Sequence, residues 1–515
     1  MNPRPLITLL AIISLSVSSG SVRAEPALQP QELAPGVHVL SSDWDFGSAN
    51  IGWLELENSV LMIDAGHPDH LPKVLGMIEK TAGKPVREVI LTHARPDQIK
   101  SALTLAAKGV TLIAHPEAAP ALNSAENSIR LIREVVSIER DGYDIELRPY
   151  GYAAGPGNLT VHLKRRGILF AGELVRTQTI NPGFPRGRTE IWIAALKKLA
   201  RETASKVVPG FGTPGNRSLV SRQLRYVVEL RRQVCYLVSQ MKPLEFVTDE
   251  ILRLGMPGPL LNWKPYDDPK KEDVEHLYKE LTVPAAPFGV RPFSDNDKRP
   301  KALCIIGDRV HYPAHTEEGL ARAFDLAGVD ARIAFDPRAL SAKNLAQVQL
   351  FVILRDGTIW PENMKDQAHW LQEEQVNALR DFISAGGGFL ALHNSTALWR
   401  DDYVELLGGK YDGHGPLERF RVRVTDREHP ITQGITDFEV ADEQHWPIVD
   451  RARVHIFLEN VKEDGKIGAA GFEHQLGKGR ICYLANGHTR ESMEHPMVQK
   501  LMANGMRWCL RRLPK

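Results

Sequence analysis

Two α/β units, each built on a sheet flanked by helices, are predicted by three features of the chain. Its 515 residues and 57.5 kDa exceed one ordinary core and suit two or three domains. Residues 37–212 carry short strand-like runs that end in charged or glycine-bearing turns, which suggests layered sheets with helices outside. Residues 301–395 alternate apolar strands with amphipathic helices, the pattern of a doubly wound parallel sheet. The expected organisation is a signal peptide over 1–24, a first α/β domain over 28–215, a helical extension and linker over 216–297, and a second α/β domain over 298–515.

At the N-terminus, Arg4 supplies a positive start, Leu6 to Val17 an apolar run, and Val22-Arg23-Ala24 a small-residue cleavage site before Glu25. The run is short for a membrane span, and no later stretch of eighteen apolar residues exists. A periplasmic or secreted protein with no stable membrane span after cleavage is expected, an uncleaved anchor being the alternative. A net charge of +1 with 25% charged residues argues against a nucleic-acid surface. Cys235, Cys304, Cys482 and Cys509 lack the spacing of a zinc knuckle or a redox pair. Cys304 and Cys482 read as buried thiols, although export leaves a Cys482–Cys509 bridge open.

In the first domain, Val37–Leu40, Ile51–Leu56 and Val60–Ile63 read as strands, the last running into Asp64-Ala65-Gly66-His67. A helix over Leu71–Lys80, a strand over Val86–Leu91 and the turn Thr92-His93-Ala94-Arg95-Pro96-Asp97-Gln98 follow. Further strands are expected at Val110–Ile113, Leu159–Leu163, Ile168–Glu173 and Val207–Gly212.

These blocks resemble the metallo-β-lactamase-like hydrolase superfamily over residues 35 to about 285. The resemblance implies an αββα sandwich that binds one or two zinc ions. The family signature His-x-His-x-Asp-His falls on Thr92–Gln98, keeping His93 and Asp97 but placing Arg95 and Gln98 at the second and third histidines. Ala154 stands at a further ligand position, Glu173 replaces the bridging aspartate, and Phe211 replaces the last histidine. Three protein ligands plus water are the usual requirement for zinc hydrolysis, and Arg95 puts a fixed cation beside the vacancy. The expected outcome is a degenerate site filled by a His93–Asp97 pair, Arg95 and Phe211. A metal-free pocket in which Arg95 receives an acidic or polyol ligand is the alternative.

Ser218–Gln240 and Phe246–Leu254 read as helices, the first with a broad apolar face. Both, with the segment around Asp273–Tyr278, are expected to pack on the first domain. Pro284, Pro287, Pro292 and Pro300 mark a connector.

The second domain begins with the strand Ala302–Ile306, followed by Asp308, Arg309 and His311. Glu317–Ala327 and Gln372–Ser384 are helical, and Ala331–Phe335 and Val348–Leu354 are strands. The last helix delivers Gly386-Gly387-Gly388-Phe389-Leu390-Ala391-Leu392-His393-Asn394-Ser395, a glycine break and apolar strand ending in His393. Open parallel sheets bind ligands outside the carboxyl ends of their strands, so His393 is expected at a crevice mouth. No Gly-x-Gly-x-x-Gly turn follows the first strand, so no dinucleotide is suggested.

The His311/His315 loop, the glycine block ending at His393, Tyr403–Gly409 leading to His414, and Asp442-Glu443 together resemble the trehalose-utilisation (ThuA-like) family. So do Gly477–Ile481 with Asn486-Gly487-His488, and Asn504–Trp508. That resemblance implies a flavodoxin-like, doubly wound domain of the class I glutamine-amidotransferase-like fold, associated with disaccharide and keto-sugar breakdown. In amidotransferases a nucleophilic cysteine sits near His393; none is present, so ammonia chemistry by a thiolate is not expected.

Two jobs stay open for His393, His414, His488 and Glu443. They act as general acid and base around a sugar hydroxyl or carbonyl, or they hold a divalent ion with Glu443 or Asp442 among the ligands. His315, Asp356, Asn394 and Trp446 are candidate substrate contacts. Trp360 and Trp399 share with Trp446 the choice between sugar-stacking wall and packing. His311 or His315 is read as a cap of the next helix, and His429 as a structural turn residue. The leading expectation is an exported carbohydrate-processing enzyme acting on a glycoside or 3-keto-glycoside. A non-catalytic carbohydrate-binding or envelope assembly protein, and a hydrolase working through the first domain, are the alternatives.

Overall fold

The computed structural model describes residues 29–41, 49–177, 187–255, 271–282, 293, 297–311, 313–359, 368–462 and 465–512. Residues 1–24, the expected signal peptide, lie outside the described residues. Among those described, no helix is long and apolar enough to cross a membrane.

The first half contains two sheets. Seven strands pair in chain order: β1 (Gln31–Ala34), β2 (Val37–Leu40), β3 (Ile51–Glu55), β4 (Val60–Ile63), β5 (Val86–Ile90), β6 (Thr111–Ala114) and β7 (Ile129–Leu131). Five more form the second sheet: β8 (Val136–Arg140), β9 (Tyr143–Gly151), β10 (Asn158–Leu163), β11 (Ile168–Arg176) and β12 (Lys206–Phe211). Alternation along each strand explains the layering, because successive side chains point to opposite faces. Leu54, Leu61, Ile63 and Ile90 share a core with Leu147, Leu159, Val161 and Phe170 of the second sheet. Trp53, Val60, Met62 and Val89 face instead the helices α1 (Leu71–Ala82) and α2 (Pro96–Ala106).

The far face of the second sheet is covered by α3 (Thr189–Leu199) and α4 (Ser218–Ser239), on which α5 (Leu244–Leu254) and α6 (Lys271–Leu281) pack. Val220, Val227, Leu230 and Val234 line one side of α4 at helical spacing and are buried. That core runs on without a break into the second half. The extension therefore packs on the first domain as expected and also reaches the second.

Inside this layer Glu280 is half-buried with its Oε2 out of solvent, and Oε1 accepts from the Thr189 backbone N–H and hydroxyl at 2.9 Å. Burial pushes its carboxyl up to about 7, against the pull of Arg231. A carboxyl raised on folding binds a proton in the native state first, so its contribution to stability is full below the unfolded pKa and is lost as pH rises through about 7. Glu280→Gln is expected to remove a fall in stability of order 3 kcal/mol between pH 4.5 and 7, read by urea denaturation across that range.

The second half holds a nine-stranded sheet. Its parallel part uses β13 (Lys301–Ile306), β14 (Asp330–Ala334), β15 (Leu350–Leu354), then β18 (Gly388–Leu392) after the small hairpin β16 (Thr358–Ile359) and β17 (Ala368–His369). The helices are α7 (Pro313–Ala327), α8 (Ala342–Leu345), α9 (Glu373–Ser384) and α10 (Asp401–Leu407). Next come β19 (Gly409–Lys410), β20 (His414–Val424), β21 (Phe438–His445), β22 (Ile448–Val449), β23 (His455–Val461), β24 (Ile467–Leu476) and β25 (Gly479–Leu484), closed by α11 (Arg490–Glu494) and α12 (Pro496–Cys509).

The sheet order is β14-β13-β15-β18-β25-β24-β23-β20-β21, parallel as far as β25 and antiparallel beyond it. The parallel sheet predicted from alternation is thus five strands, extended by four that the expectation did not contain. Strand order reverses between β13 and β15, the place where open sheets leave a crevice. All four cysteines are free and buried, so Cys482 and Cys509 are not bridged.

Candidate metal centre

Four parallel strands end on one side of the sheet, and each end supplies part of a site. After β13, Gly307 turns the chain at a φ of 89°, a conformation that favours glycine, and delivers Asp308. Asp308 is buried; Oδ1 accepts from the backbone N–H groups of Val310 and His311, and Oδ2 accepts from Asn394 Nδ2 at 2.7 Å and Asp356 N at 3.0 Å. Its two oxygens stand 2.8 and 2.9 Å from His311 Nδ1. That nitrogen therefore donates to Asp308, and Nε2 is turned to His488 Nδ1, 3.0 Å away; burial would lower the His311 imidazole, but Asp308 outweighs it and raises it. Burial alone would raise the Asp308 carboxyl, but the His311 ring outweighs it and holds Asp308 well below its ordinary range.

At the end of β18, His393 adopts a φ of 49°, strained for a residue with a side chain. Its Nδ1 lies 2.7 Å from Ala485 O and so donates; the opposite nitrogen, Nε2, is buried and lacks a hydrogen-bond partner among the described residues. Burial, with the neighbouring His445 and His311 rings, pushes the His393 imidazole well below its ordinary pKa and keeps it neutral. After β25, His488 is fixed through its backbone N–H, which donates to Asp442 Oδ1 at 3.0 Å.

The three imidazoles converge on Glu443. His488 Nδ1 is 3.0 Å from His311 Nε2 and 3.2 Å from Glu443 Oε2, which is 3.8 Å from His393 Nε2. One ligand atom from each of His311, His393, Glu443 and His488 lies within 4.8 Å of the other three. Ligands about 2.1 Å from a common ion stand roughly 3–4 Å apart, so the spacing suits a divalent metal. The buried orphan nitrogen of His393 is satisfied by such an ion, and the back nitrogens of His311 and His393 are held by acceptors, as metal-bound histidines require. The set departs from a familiar zinc-hydrolase constellation, having no short-range His-Glu-x-x-His pattern. Burial would raise the Glu443 carboxyl, but His445 and His488 outweigh it and hold it well below its ordinary range.

A cavity of about 560 Å³ opens onto this group. His414 is on its wall rather than in the four-residue group: Nδ1 lies 2.6 Å from Gly415 O and 3.6 Å from Glu443 Oε2. Asp356 and Asn394 also line it, and burial with the nearby Asp308 raises the Asp356 carboxyl to about 7. His315 sits in α7 with Nε2 3.0 Å from His488 O, behind the ligand rather than in the cavity wall. Trp446 likewise does not line the cavity; the Lys466 ammonium covers its ring at 3.1 Å. The tryptophan at the mouth is Trp399, 54% exposed and edge-on to Tyr411 at 5.8 Å. Trp360 lies outside the described residues. Asp442 turns away from the cavity and accepts backbone N–H groups instead.

Sequence reasoning did not place His311 or His445 in the site. His311 was signalled by its position three residues past Asp308, at the end of the first strand. His445 is two residues past Glu443 and therefore on the same strand face, with its ring 4.0 Å from that of His393. Burial pushes the His445 imidazole down to about 4 despite Glu443. His429, expected to be structural, caps the short helix at Pro430 by accepting from Ile431 N.

Among the described residues of the first half, no such group of ligand atoms converges at the family's zinc positions. Arg95 lies between Asp97 (3.4 Å) and Glu173 (3.6 Å), with its guanidinium 5.0 Å from the Phe211 ring centroid. Gln98 accepts from Ala65 N and Gly66 N through Oε1 at 2.7 and 3.0 Å. The expected His93–Asp97 pair is not formed: His93 Nδ1 contacts Thr92 Oγ1 at 2.9 Å and Asp64 Oδ1 at 3.7 Å, while Asp97 is turned to Arg95. The fixed charge of Arg95 occupies the side of the site where further ligands would converge.

Comparison with known proteins matches two separate stretches of the chain. Residues 302–509 match the ThuA (trehalose utilisation) family, and residues 44–210 match the metallo-β-lactamase superfamily. The chain thus joins a metallo-β-lactamase-superfamily domain to a ThuA-like domain, each built on α/β sheets. A metallo-β-lactamase type 2 from Bacillus cereus is 26% identical over 180 residues, 33% of this chain and 70% of that protein. Among solved structures, a metallo-β-lactamase from Pontibacter korlensis is 21% identical, covering 39% of this chain and 98% of its own at a TM-score of 0.34. A ThuA-like protein from Parabacteroides merdae is 17% identical, covering 42% and 92% at a TM-score of 0.35.

Proposed function

We propose that this is an exported carbohydrate-processing enzyme whose chemistry lies in the second half, around a divalent ion held by His311, His393, Glu443 and His488. The observation that carries the reading is the buried, unpartnered His393 Nε2 facing two further imidazoles and a carboxylate. The ThuA match and a cavity lined by Asp356, Asn394 and His414 beside Trp399 and Tyr411 support a sugar, and a glycoside or 3-keto-glycoside is the substrate class put forward. In this reading residues 1–24 are a cleaved leader and 28–215 an αββα sandwich with a retired zinc site. Residues 216–297 are its extension, and 298–515 a flavodoxin-like domain of the amidotransferase-like type.

When bound, the ion supplies Lewis acidity toward a carbonyl or hydroxyl oxygen of the sugar. Asp308 and the Ala485 carbonyl hold His311 and His393 in fixed tautomers. Asp356, near neutral in pKa and facing the cavity, gains or loses a proton at its carboxyl oxygen. His414 lines the same cavity and is placed to hydrogen-bond a bound sugar.

Metal content of the purified protein, measured together with turnover of a panel of glycosides and 3-keto-glycosides, tests the proposal. Metal and turnover should be retained by His93→Ala and lost by His393→Ala. Metal that follows His93 instead would overturn it, and sugar binding without turnover would assign a binding protein. Trp399→Ala, which removes the exposed ring at the mouth, is expected to weaken sugar binding up to about tenfold by calorimetry, the ~0.5–1.5 kcal/mol typical of an aromatic contact, while metal content stays unchanged.

A further inference from the structure

The helical extension that packs on the metallo-β-lactamase-like domain is in direct contact with the strand ends that build the metal centre. The contact is the C-terminus of α4. Helix ends leave carbonyls without intrahelical partners and carry partial negative charge. The carbonyl of Ser239, the last residue of α4, accepts from Arg355 Nη2 at 3.2 Å.

Arg355 follows β15 and is fully buried, an unusual state for an arginine. Its Nε donates to Asp356 O at 3.3 Å, its guanidinium lies 5.0 Å from the Trp370 ring centroid, and Nη1 has no partner among the described residues. Trp370 Nε1 donates to the same Asp356 carbonyl at 2.7 Å. The Asp356 N–H in turn donates to Asp308 Oδ2, and Asp308 orients His311. The end of β13 is seated on the same helix terminus: a Cβ added at Gly307, next to Asp308, would stand 3.1 Å from Ser239 Cβ. A second tie runs from Arg231 of α4, whose Nη2 donates to Glu317 Oε1 of α7 at 2.9 Å.

We infer that Arg355 is a positioning residue through which α4 of the first half sets His311 in the metal centre of the second. The first half is then retained as the platform that holds Asp308 and Asp356 in register, not for chemistry of its own. This rests on the metal reading proposed above. Removing the guanidinium leaves the Ser239 carbonyl without its donor and the Asp356 carbonyl with Trp370 Nε1 alone, and frees the 355–356 backbone to shift against Asp308. His311 is then released from its fixed orientation.

The test is Co(II) titration of the metal-free full chain, followed by the visible absorption of the bound ion, for wild type, Arg355→Met and Arg355→Lys. Arg355→Met is expected to weaken Co(II) binding 10- to 100-fold, the range for groups that orient a metal ligand, and to shift the absorption band. Arg355→Lys, which keeps the charge but cannot span two carbonyls, should recover part of the affinity. A folded Arg355→Met protein with wild-type affinity and spectrum would overturn the inference while leaving the metal centre standing. Wild type that binds no Co(II) would overturn both. If Arg355→Met does not fold, Arg355→Lys decides alone: at least threefold weaker binding with a moved band supports the inference, and wild-type values overturn it.

Discussion

His393→Ala is expected to lower divalent-metal affinity more than 100-fold, a larger loss than removal of a group that only orients a ligand. The imidazole is neutral before metal arrives, because burial and two neighbouring rings disfavour its protonated form. It therefore offers a bare nitrogen with no proton to displace, and no nearby side chain compensates for it. His445 is the closest ring, its centroid 4.0 Å from that of His393, but it is tilted by 38° to it and is not one of the four residues whose ligand atoms converge. Metal-free wild type and variant should differ little in thermal stability, since the variant loses the hydrogen bond to Ala485 O but also a buried acceptor that had no partner. The difference should appear on adding metal. Wild type at 100 times its dissociation constant gains about 2.7 kcal/mol of stability, and the variant should gain almost none. Thermal melts with chelator and with excess metal measure this; an equal rise in both proteins would place the ion elsewhere.

The strand ends are legible in the amino-acid sequence because apolar runs that stop at polar residues have one interpretation in an open sheet. His393, His488 and the Asp356 turn stand out in that way. The antiparallel half of the second sheet does not, although β20 carries the period-2 signal: Phe420, Val422 and Val424 are buried while Arg421 and Arg423 are exposed. Alternation announces a half-buried strand but does not say which strand it pairs with. Here the pairing of β20 with β21 brings His414 opposite His445 and carries Glu443 to the cavity. His93 shows the same limit. Its partner Asp64 lies on another strand end, and only the parallel pairing of β4 with β5 sets them side by side, whereas Asp97, nearer in sequence, is drawn to Arg95. Arg355 is visible in the sequence only as a charge at a strand end. Its burial against α4 depends on how the two halves meet, which no local pattern encodes.

Asp442→Ala should destabilise the protein and disable the metal centre together, because one buried carboxylate organises the loop that carries His488. Asp442 has no solvent exposure and accepts four backbone N–H groups: Glu443 at 3.0 Å, Gly487 at 2.8 Å, His488 at 3.0 Å and Thr489 at 3.3 Å. Alanine leaves these donors facing a cavity. A buried donor without a partner costs about 1–3 kcal/mol, and the loop escapes part of that total by moving toward water, so a loss of about 3–5 kcal/mol is expected in chemical denaturation of the metal-free protein. The same movement carries His488 Nδ1 away from His311 and Glu443, so Co(II) affinity should fall at least tenfold. Asp442→Asn separates the two effects. Its single carbonyl oxygen still accepts from part of the loop, while its amide hydrogens oppose the remaining N–H donors. It should therefore lose less stability than alanine yet still misplace His488. If the asparagine variant binds Co(II) as wild type does, the 487–489 loop keeps its shape without the carboxylate, and the four-donor anchor is not what holds His488 in the centre.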